Sequence, residues 1–381
     1  MPSRILTLLF VTNFTLILGF SIVFPLLPFY AREFGATIFE ISLIFAAFPL
    51  MQFIFSPLWG KVSDNVGRKP IMLISLFGSA ISFILYGFAG SYLNLLMVRI
   101  IHGIVSSAGF ATVHAAGADI STKEDRAKTM ATIGAAFSLA IAFGPAIGGI
   151  FSSISIQFPF FISAVVAFIN LIFVYKFVPE TIKEKTKKLE IFKGFVLLRV
   201  HSALKSNLTS VYLMSSVSYL SFAIVGVAYP LFALSKFDFG PVEVGFVFAG
   251  LGFSAAITQG FFVGRATEKF GEAKVIRTGL IFMMVSLGAV SFVINPILSG
   301  GVLIFMSIGT ALINPSVNSY ISKHSKEQGV ALGTVNSFGS LSRFTGPLVV
   351  GIVYQIYGPT TTFLATTVVI GIGYLISLKI K

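Results

Sequence analysis

The chain reads as long apolar stretches cut by short polar ones. A helix needs about 20 apolar residues to cross the hydrocarbon core of a bilayer. Twelve segments of that kind are predicted, at 5–29, 38–59, 71–89, 92–116, 129–151, 156–178, 207–234, 242–263, 275–294, 296–320, 329–353 and 360–379. The first begins just after Arg4 and runs to about Pro28. It is too long for the apolar part of a signal peptide and no A-x-A site follows, so it is read as a span. One connector is long. Residues 179–206 carry Lys183, Lys185, Lys187, Lys188, Lys193, Arg199 and Lys205. They part the chain into a bundle at 1–178 and a bundle at 207–381, six spans each. Within the connector, Leu189 to Val200 mixes apolar and basic residues. A helix lying on the anionic cytoplasmic leaflet fits that mixture, and so does a solvated basic linker.

Composition excludes the soluble alternatives. Hydrophobic residues make up 55% of the chain, charged residues 11%, and the mean hydropathy is +0.93. A soluble domain carries about 25% charged residues. So much apolar mass also excludes disorder. The net charge of +13 comes from 27 Lys and Arg against 14 Asp and Glu. With both termini in the cytoplasm, 23 of the 27 basic residues fall on the cytoplasmic side. Arg32 and Lys236 lie outside, and Arg99 and Arg343 lie within spans. The basic excess is therefore the positive-inside bias of a membrane protein, and nucleic acid is not a predicted partner. Cysteine is absent and histidine numbers 4. That removes disulfides, thiolate metal sites and cysteine nucleophiles, and no metal or other cofactor is predicted. No HExxH, GxSxG or Walker motif occurs, which argues against an enzyme and an ATP-driven pump. Nor is there a pore-loop filter of the channel kind.

The two sets of spans repeat one another. Gly60, Asp64 and Gly67 between spans 2 and 3 recur as Gly264, Glu268 and Gly271 between spans 8 and 9, at an offset of 204. Gly144-Pro145 in span 5 recurs as Gly346-Pro347 in span 11, at 202. Glu40 and Glu243 open spans 2 and 8, at 203. Such a parallel six-plus-six repeat is a transporter architecture with its site near midplane.

Three motifs carry a resemblance to a known family. Residues 60–70, GKVSDNVGRKP, match the loop pattern G-x-x-x-D-[RK]-x-G-R-[RK]. Arg99 with Gly103, in LLMVRIIHGIVSSAGF, matches a span 4 motif with an intramembrane arginine. Gly144-Pro145-x-x-Gly148-Gly149 matches a span 5 motif. On these residues the chain resembles the major facilitator superfamily, and within it the drug:proton antiporters. The resemblance implies twelve transmembrane helices in two six-helix bundles related by a pseudo-two-fold axis. It implies proton-coupled efflux of small amphipathic or lipophilic substrates through the cell membrane, by a chain that works as a monomer. It also implies that Asp64, Arg68, Lys69 and Asp119 form a cytoplasmic gate locking one half to the other. Two departures stand out. Asn65 replaces a basic residue of the loop motif, and span 1 lacks the acidic residue common in that branch. All 14 acids fall in loops or at span ends.

Physical chemistry singles out the remaining candidates. Gly60 and Gly67 are expected to permit tight turns, and Arg68 to pair with Asp119. Gly144, Pro145, Gly148 and Gly149 let span 5 bend and approach a neighbour closely. A buried Arg99 is costly, on the order of 3 kcal/mol by insertion scales, so it is expected to face the interior. His102 and Ser106 share its face, and His102 is the midspan side chain that titrates near neutral pH. Span 11 aligns Asn336, Ser340 and Arg343, and span 10 aligns Asn314 and Asn318. Tyr212 and Tyr219 in span 7, Gln52 in span 2 and Asn13 in span 1 complete the polar stripes. Each Asn and Ser fits a cavity wall or a helix–helix tie equally well. Two arginines also suit an organic anion or sugar. Trp59, at a predicted span end, is expected to be an interfacial anchor.

Overall fold

The computed structural model describes residues 2–122, 125–182, 208–325 and 328–380, which are helical nearly throughout and contain no strand. In hydrocarbon every backbone N–H and C=O must be satisfied within the segment, and a helix does this. In chain order the helices are α1 (Pro2–Val23), α2 (Leu27–Glu33), α3 (Ile38–Val66), α4 (Arg68–Gly87), α5 (Tyr92–Ile120), α6 (Arg126–Ser152) and α7 (Phe158–Phe177). Then come α8 (Thr209–Ala223), α9 (Tyr229–Phe237), α10 (Pro241–Ile257), α11 (Val263–Phe270), α12 (Glu272–Val290), α13 (Pro296–His324) and α14 (Gln328–Ser377). One π turn, Ile224–Ala228, joins α8 to α9, and another, Thr258–Phe262, joins α10 to α11. α14 has 50 residues. At about 1.5 Å per residue it is roughly 75 Å long, more than two bilayer cores. Gly358, at φ 81° and ψ 176°, divides it into the two predicted spans. The crossings then number twelve among the described residues, and the protein is an all-α multi-pass membrane protein.

Boundaries differ from expectation in instructive ways. α3 does not stop at Trp59 but runs on to Val66. Gly60 therefore lies inside a helix and makes no turn, and Gly264 likewise lies inside α11. Ser63 and Asn65 donate back to the carbonyls of Gly60 and Lys61, so the polar residues beyond the apolar stretch stay helical. Of the four glycines Gly60, Gly67, Gly264 and Gly271, Gly67 (φ 126°) and Gly271 (φ 81°) leave the helical region, where a side chain would be strained. Trp59 is placed away from the helix end, and its indole N–H donates to the Ile104 carbonyl at 2.9 Å, tying α3 to α5. The first span breaks at a turn around Pro25 and resumes as α2.

The described residues fall into two compact units. Unit 1 takes those within Met1–Ala36, Ala47–Lys193 and Pro241–Ala249; unit 2 takes those within Thr37–Ala46, Gly194–Gly240 and Gly250–Lys381. In unit 1, α4 packs on α5 and α7, and α1 packs on α5, α6 and α7. Leu9, Met72, Leu76, Val113, Ile133 and Val174 fill the space where these helices meet. In unit 2, α12 packs on α13 and α14, and α8 packs on α13 and α14. Unit boundaries and the sequence repeat do not coincide. The first turns of α3 go with unit 2, and the first turns of α10 with unit 1. Large apolar side chains such as Ile169, Phe261, Val285 and Ile356 are exposed, as lipid-facing residues are. Most of the long basic connector, including the Leu189 to Val200 stretch, lies outside the described residues.

Candidate functional site

Arg99 sits on α5 inside unit 1 and is only 1% exposed. Its guanidinium lies 4.5 Å from the Phe48 ring centroid and 5.4 Å from that of Phe20. These two rings stack on each other at 5.0 Å. The Tyr86 hydroxyl neighbours the same guanidinium. A cation over aromatic faces recovers part of its lost hydration, by ~2 kcal/mol or more once desolvated. His102, one helical turn on, is also buried, with its ring edge-on to Phe83 at 4.7 Å and to Phe48 at 5.2 Å. Ser106 is buried on the same stripe. Gly103 brings α5 onto α3, since a Cβ there would lie 3.0 Å from the Phe48 carbonyl oxygen. The result is a fixed cation in an aromatic shell. Sequence reasoning missed the shell because 42 phenylalanines leave no contrast by which to pick out Phe20, Phe48 and Phe83.

Unit 2 holds a looser counterpart. The Arg343 guanidinium lies 4.7 Å from the Tyr219 ring centroid, and its Nη2 donates to the Ser340 hydroxyl at 3.2 Å. Tyr212 is buried and stacks on Phe338 at 5.6 Å. Asn314 is half-buried, and Asn318 and Asn336 are exposed. In unit 1, Gln52 is half-buried. Asn13 is buried, and its amide donates to the Ile133 carbonyl at 2.8 Å, which ties α1 to α6. Among the described residues, no Asp or Glu is buried.

The charged cluster at the turn between α3 and α4 is compact and belongs wholly to unit 1. Arg68 Nη1 meets Asp64 Oδ1 at 2.6 Å, and Nε meets Asp119 Oδ2 at 2.9 Å. Nη1 also donates to the Ser63 hydroxyl at 2.6 Å. Glu180, just past α7, accepts the backbone N–H of Arg68 at 2.9 Å and of Lys69 at 3.2 Å. It thus caps the N-terminus of α4, as a carboxylate does well. Lys69 returns the favour by donating through Nζ to the Tyr175 carbonyl near the end of α7, at 2.7 Å. Gly67 is needed twice here: for its φ, and because a Cβ would collide with the Glu180 carboxylate. Thr181 donates to Asp119 at 3.2 Å. Glu180 and Thr181 carry no motif of their own in the sequence reading. In unit 2, Glu268 is exposed beside Gly271.

The Gly-Pro motif packs on two faces of α6. Toward α1, a Cβ on Gly144 would meet Ser21 and one on Gly148 would meet the Ile22 carbonyl. Toward the start of α10, a Cβ on Gly149 would lie 3.0 Å from the Val242 carbonyl oxygen. One on Gly245 would lie 2.6 Å from the Pro145 carbonyl oxygen. α6 continues through Pro145 without a break. In unit 2, Gly346 and Pro347 lie in α14, where a Cβ on Gly346 would touch Ala223 at 3.0 Å. A Cβ on Gly351 would collide with Ser42 at the start of α3. Gly351 and Ser42 stand at offsets of 202 and 203 from Gly149 and Gly245, so the repeat held the signal for both.

Comparison with known proteins agrees along the whole length. The profile of the Major Facilitator Superfamily matches residues 9–213 and 211–380. The class B tetracycline resistance protein of Escherichia coli is 29% identical over 344 residues, covering 89% of this chain and 85% of that protein. Quinolone resistance protein NorA of Staphylococcus aureus (strain MSSA476) is 27% identical over 361 residues, covering 94% and 92%. The crystal structure of the human organic anion transporter MFSD10 (TETRAN) superposes with a TM-score of 0.75 at 24% identity, over 99% of both chains. A bacterial homologue of the human lysosomal transporter Spinster, solved inward-facing and unoccupied, gives 0.81 at 14% identity, over 99% and 97%. These two structures show likeness of fold.

Proposed function

The chain belongs to the major facilitator superfamily and is a membrane transporter, not an enzyme; from that premise we propose that it exports small amphipathic or lipophilic compounds in exchange for protons. The observation that carries this reading is similarity to two drug-resistance proteins over nearly the whole of both partners. Transport would proceed by alternating access, with residues 1–178 rocking against 207–381 about a midplane site. The close seam of Gly149 on Gly245, where α6 meets the start of α10, suits such motion, because small residues let two helices approach closely. The protein would act as a monomer in the cell membrane with both termini in the cytoplasm, the orientation the basic residues favour. His102 is the group proposed to carry the proton. His102→Ala tests this: unaltered ΔpH-driven transport would dismiss it.

A second reading has its own support. Arg99 is a buried cation set against the Phe48 and Phe20 rings. A fixed positive charge in a low-dielectric site suits an organic anion. One experiment separates the two. Purified protein in liposomes is given ethidium (a cation), an uncharged lipophilic dye and carboxyfluorescein (an anion) under an imposed ΔpH. ΔpH-driven movement of ethidium or the uncharged dye supports proton-coupled efflux. Movement of carboxyfluorescein alone overturns it in favour of anion transport.

A further inference from the structure

In unit 2, Phe253, Ile257 and Phe261 form an exposed apolar row along α10 and the π turn that follows it. Residues four apart share a helical face. α11 then docks by Val263, which packs with Val275 of α12 and Leu312 of α13, and Ala266 lies against the same cluster. Its other face carries Arg265, Glu268 and Lys269, all exposed. Arg265 follows Phe261 by four residues, and its Nη1 donates to the Phe261 carbonyl at 3.0 Å. The charged face thus continues the apolar row. Phe262 and Phe270 are exposed beside it, and Lys269 Nζ lies 5.3 Å from the Phe270 ring centroid.

Unit 1 uses the same positions differently. At an offset of 204, Lys61, Asp64 and Asn65 stand where unit 2 has Arg265, Glu268 and Lys269. All three are half-buried. Asp64 meets Arg68, and the Asn65 amide donates to the Lys61 carbonyl at 3.0 Å. In unit 2 the place of Arg68 is taken by Glu272, and Glu268 stays exposed. Among the described residues, neither Arg265 nor Lys269 forms an ion pair with a carboxylate. Two cations and one carboxylate leave this face of α11 with one positive charge.

An exposed row of large apolar side chains favours hydrocarbon, and unpaired cations at its end favour an anion. A phospholipid with a negative headgroup offers both, in that order. We propose that Arg265 and Lys269 bind the phosphate headgroup of an anionic phospholipid whose acyl chains lie along Phe253, Ile257 and Phe261. The single net charge of the face matches a headgroup with one negative charge, such as phosphatidylglycerol. Each cation beside an anionic lipid surface strengthens attachment roughly fivefold. The site is on the surface of unit 2 and does not depend on which compound the protein transports.

The chain has no cysteine, and a Cβ at Gly260 would meet nothing within 4 Å, so Gly260→Cys accepts a fluorescent label beside the row. The labelled full chain is placed in phosphatidylcholine nanodiscs holding a small fraction of acceptor-labelled lipid, either phosphatidylglycerol or phosphatidylcholine, and energy transfer is measured. Phosphatidylglycerol should give several-fold more transfer than phosphatidylcholine. Adding Arg265→Gln with Lys269→Gln should remove that excess, Glu268→Gln should increase it, and Arg265→Lys should retain most of it. Arg32→Gln, which removes an exposed cation elsewhere in the chain, should leave it unchanged. All these side chains are exposed, so thermal midpoints in detergent should stay within about 2 °C of the parent. Inorganic phosphate should compete no better than chloride at equal ionic strength; if it does, the occupant is a soluble anion and the lipid proposal fails. Equal transfer from the two lipids, or an excess that survives the double variant, overturns it as well.

Discussion

Gly148→Ala is the sharpest single perturbation the structure offers. An ideal Cβ at Gly148 would overlap the Ile22 carbonyl oxygen and lie 3.0 Å from its carbon. The obstacle is backbone of α1, which cannot rotate aside as a side chain would. Restoring contact distance requires α1 and α6 to part by roughly 1 Å, and dispersion along the seam falls steeply over such a gap. Overpacking of this kind costs about 1–3 kcal/mol, and a rigid neighbour places it at the upper end. Against this, alanine is favoured over glycine in a helix by about 1 kcal/mol. Gly134, in the same helix, has nothing within 4 Å of its Cβ position. Gly134→Ala should therefore keep the propensity gain without the clash. The two variants should differ by about 3 kcal/mol, a factor of ~100 in the folded-to-unfolded ratio. At roughly 2 °C per kcal/mol for a chain of this size, that is a gap of about 6 °C in thermal midpoint. Unfolding is followed in detergent by the emission of Trp59 and the 11 tyrosines. Equal midpoints for the two variants would refute the claim that backbone proximity, and not helix propensity, selects glycine at 148.

Three further outcomes are expected. Gly245→Ala, whose Cβ would lie 2.6 Å from the Pro145 carbonyl oxygen, should lower the transport rate at least tenfold at normal membrane abundance, whereas Gly250→Ala, with open space around it, should not; equal rates would remove the α6–α10 seam from the mechanism. Glu180→Gln keeps the shape but loses the charged cap on α4, and should destabilise by about 1 kcal/mol, with Glu180→Asp intermediate, read as thermal midpoints; an unchanged midpoint would show that water replaces the cap. Trp59→Phe removes the hydrogen bond to Ile104 and should cost about 1 kcal/mol; no loss would return Trp59 to the role of a surface anchor.

The amino-acid sequence by itself determined the crossings, their repeat and the bias of positive charge. These depend on local apolar length and on charge counting, and lipid enforces both without reference to any partner segment. The Arg68–Asp119 pair was legible for a similar reason, since a motif holds its members in a known register. Other features waited on the fold. Glu272 opens α12 and pairs with Lys323 in the last turn of α13, each 204 residues beyond Arg68 and Asp119, but the reversed charges hide the equivalence until both pairs are seen at helix ends. Glu180 looked like one acid at the start of a basic connector, and only the turn at Gly67 shows that its carboxylate caps α4. Asn13 fitted a cavity wall as well as a helix tie, and its bond to Ile133 spans 120 residues that no local pattern connects. Gly60 and Gly67 look alike in the motif, yet one is helical and the other is not. Packing decides such cases, because what a residue touches depends on chain segments that are distant in sequence and close only once the helices have assembled.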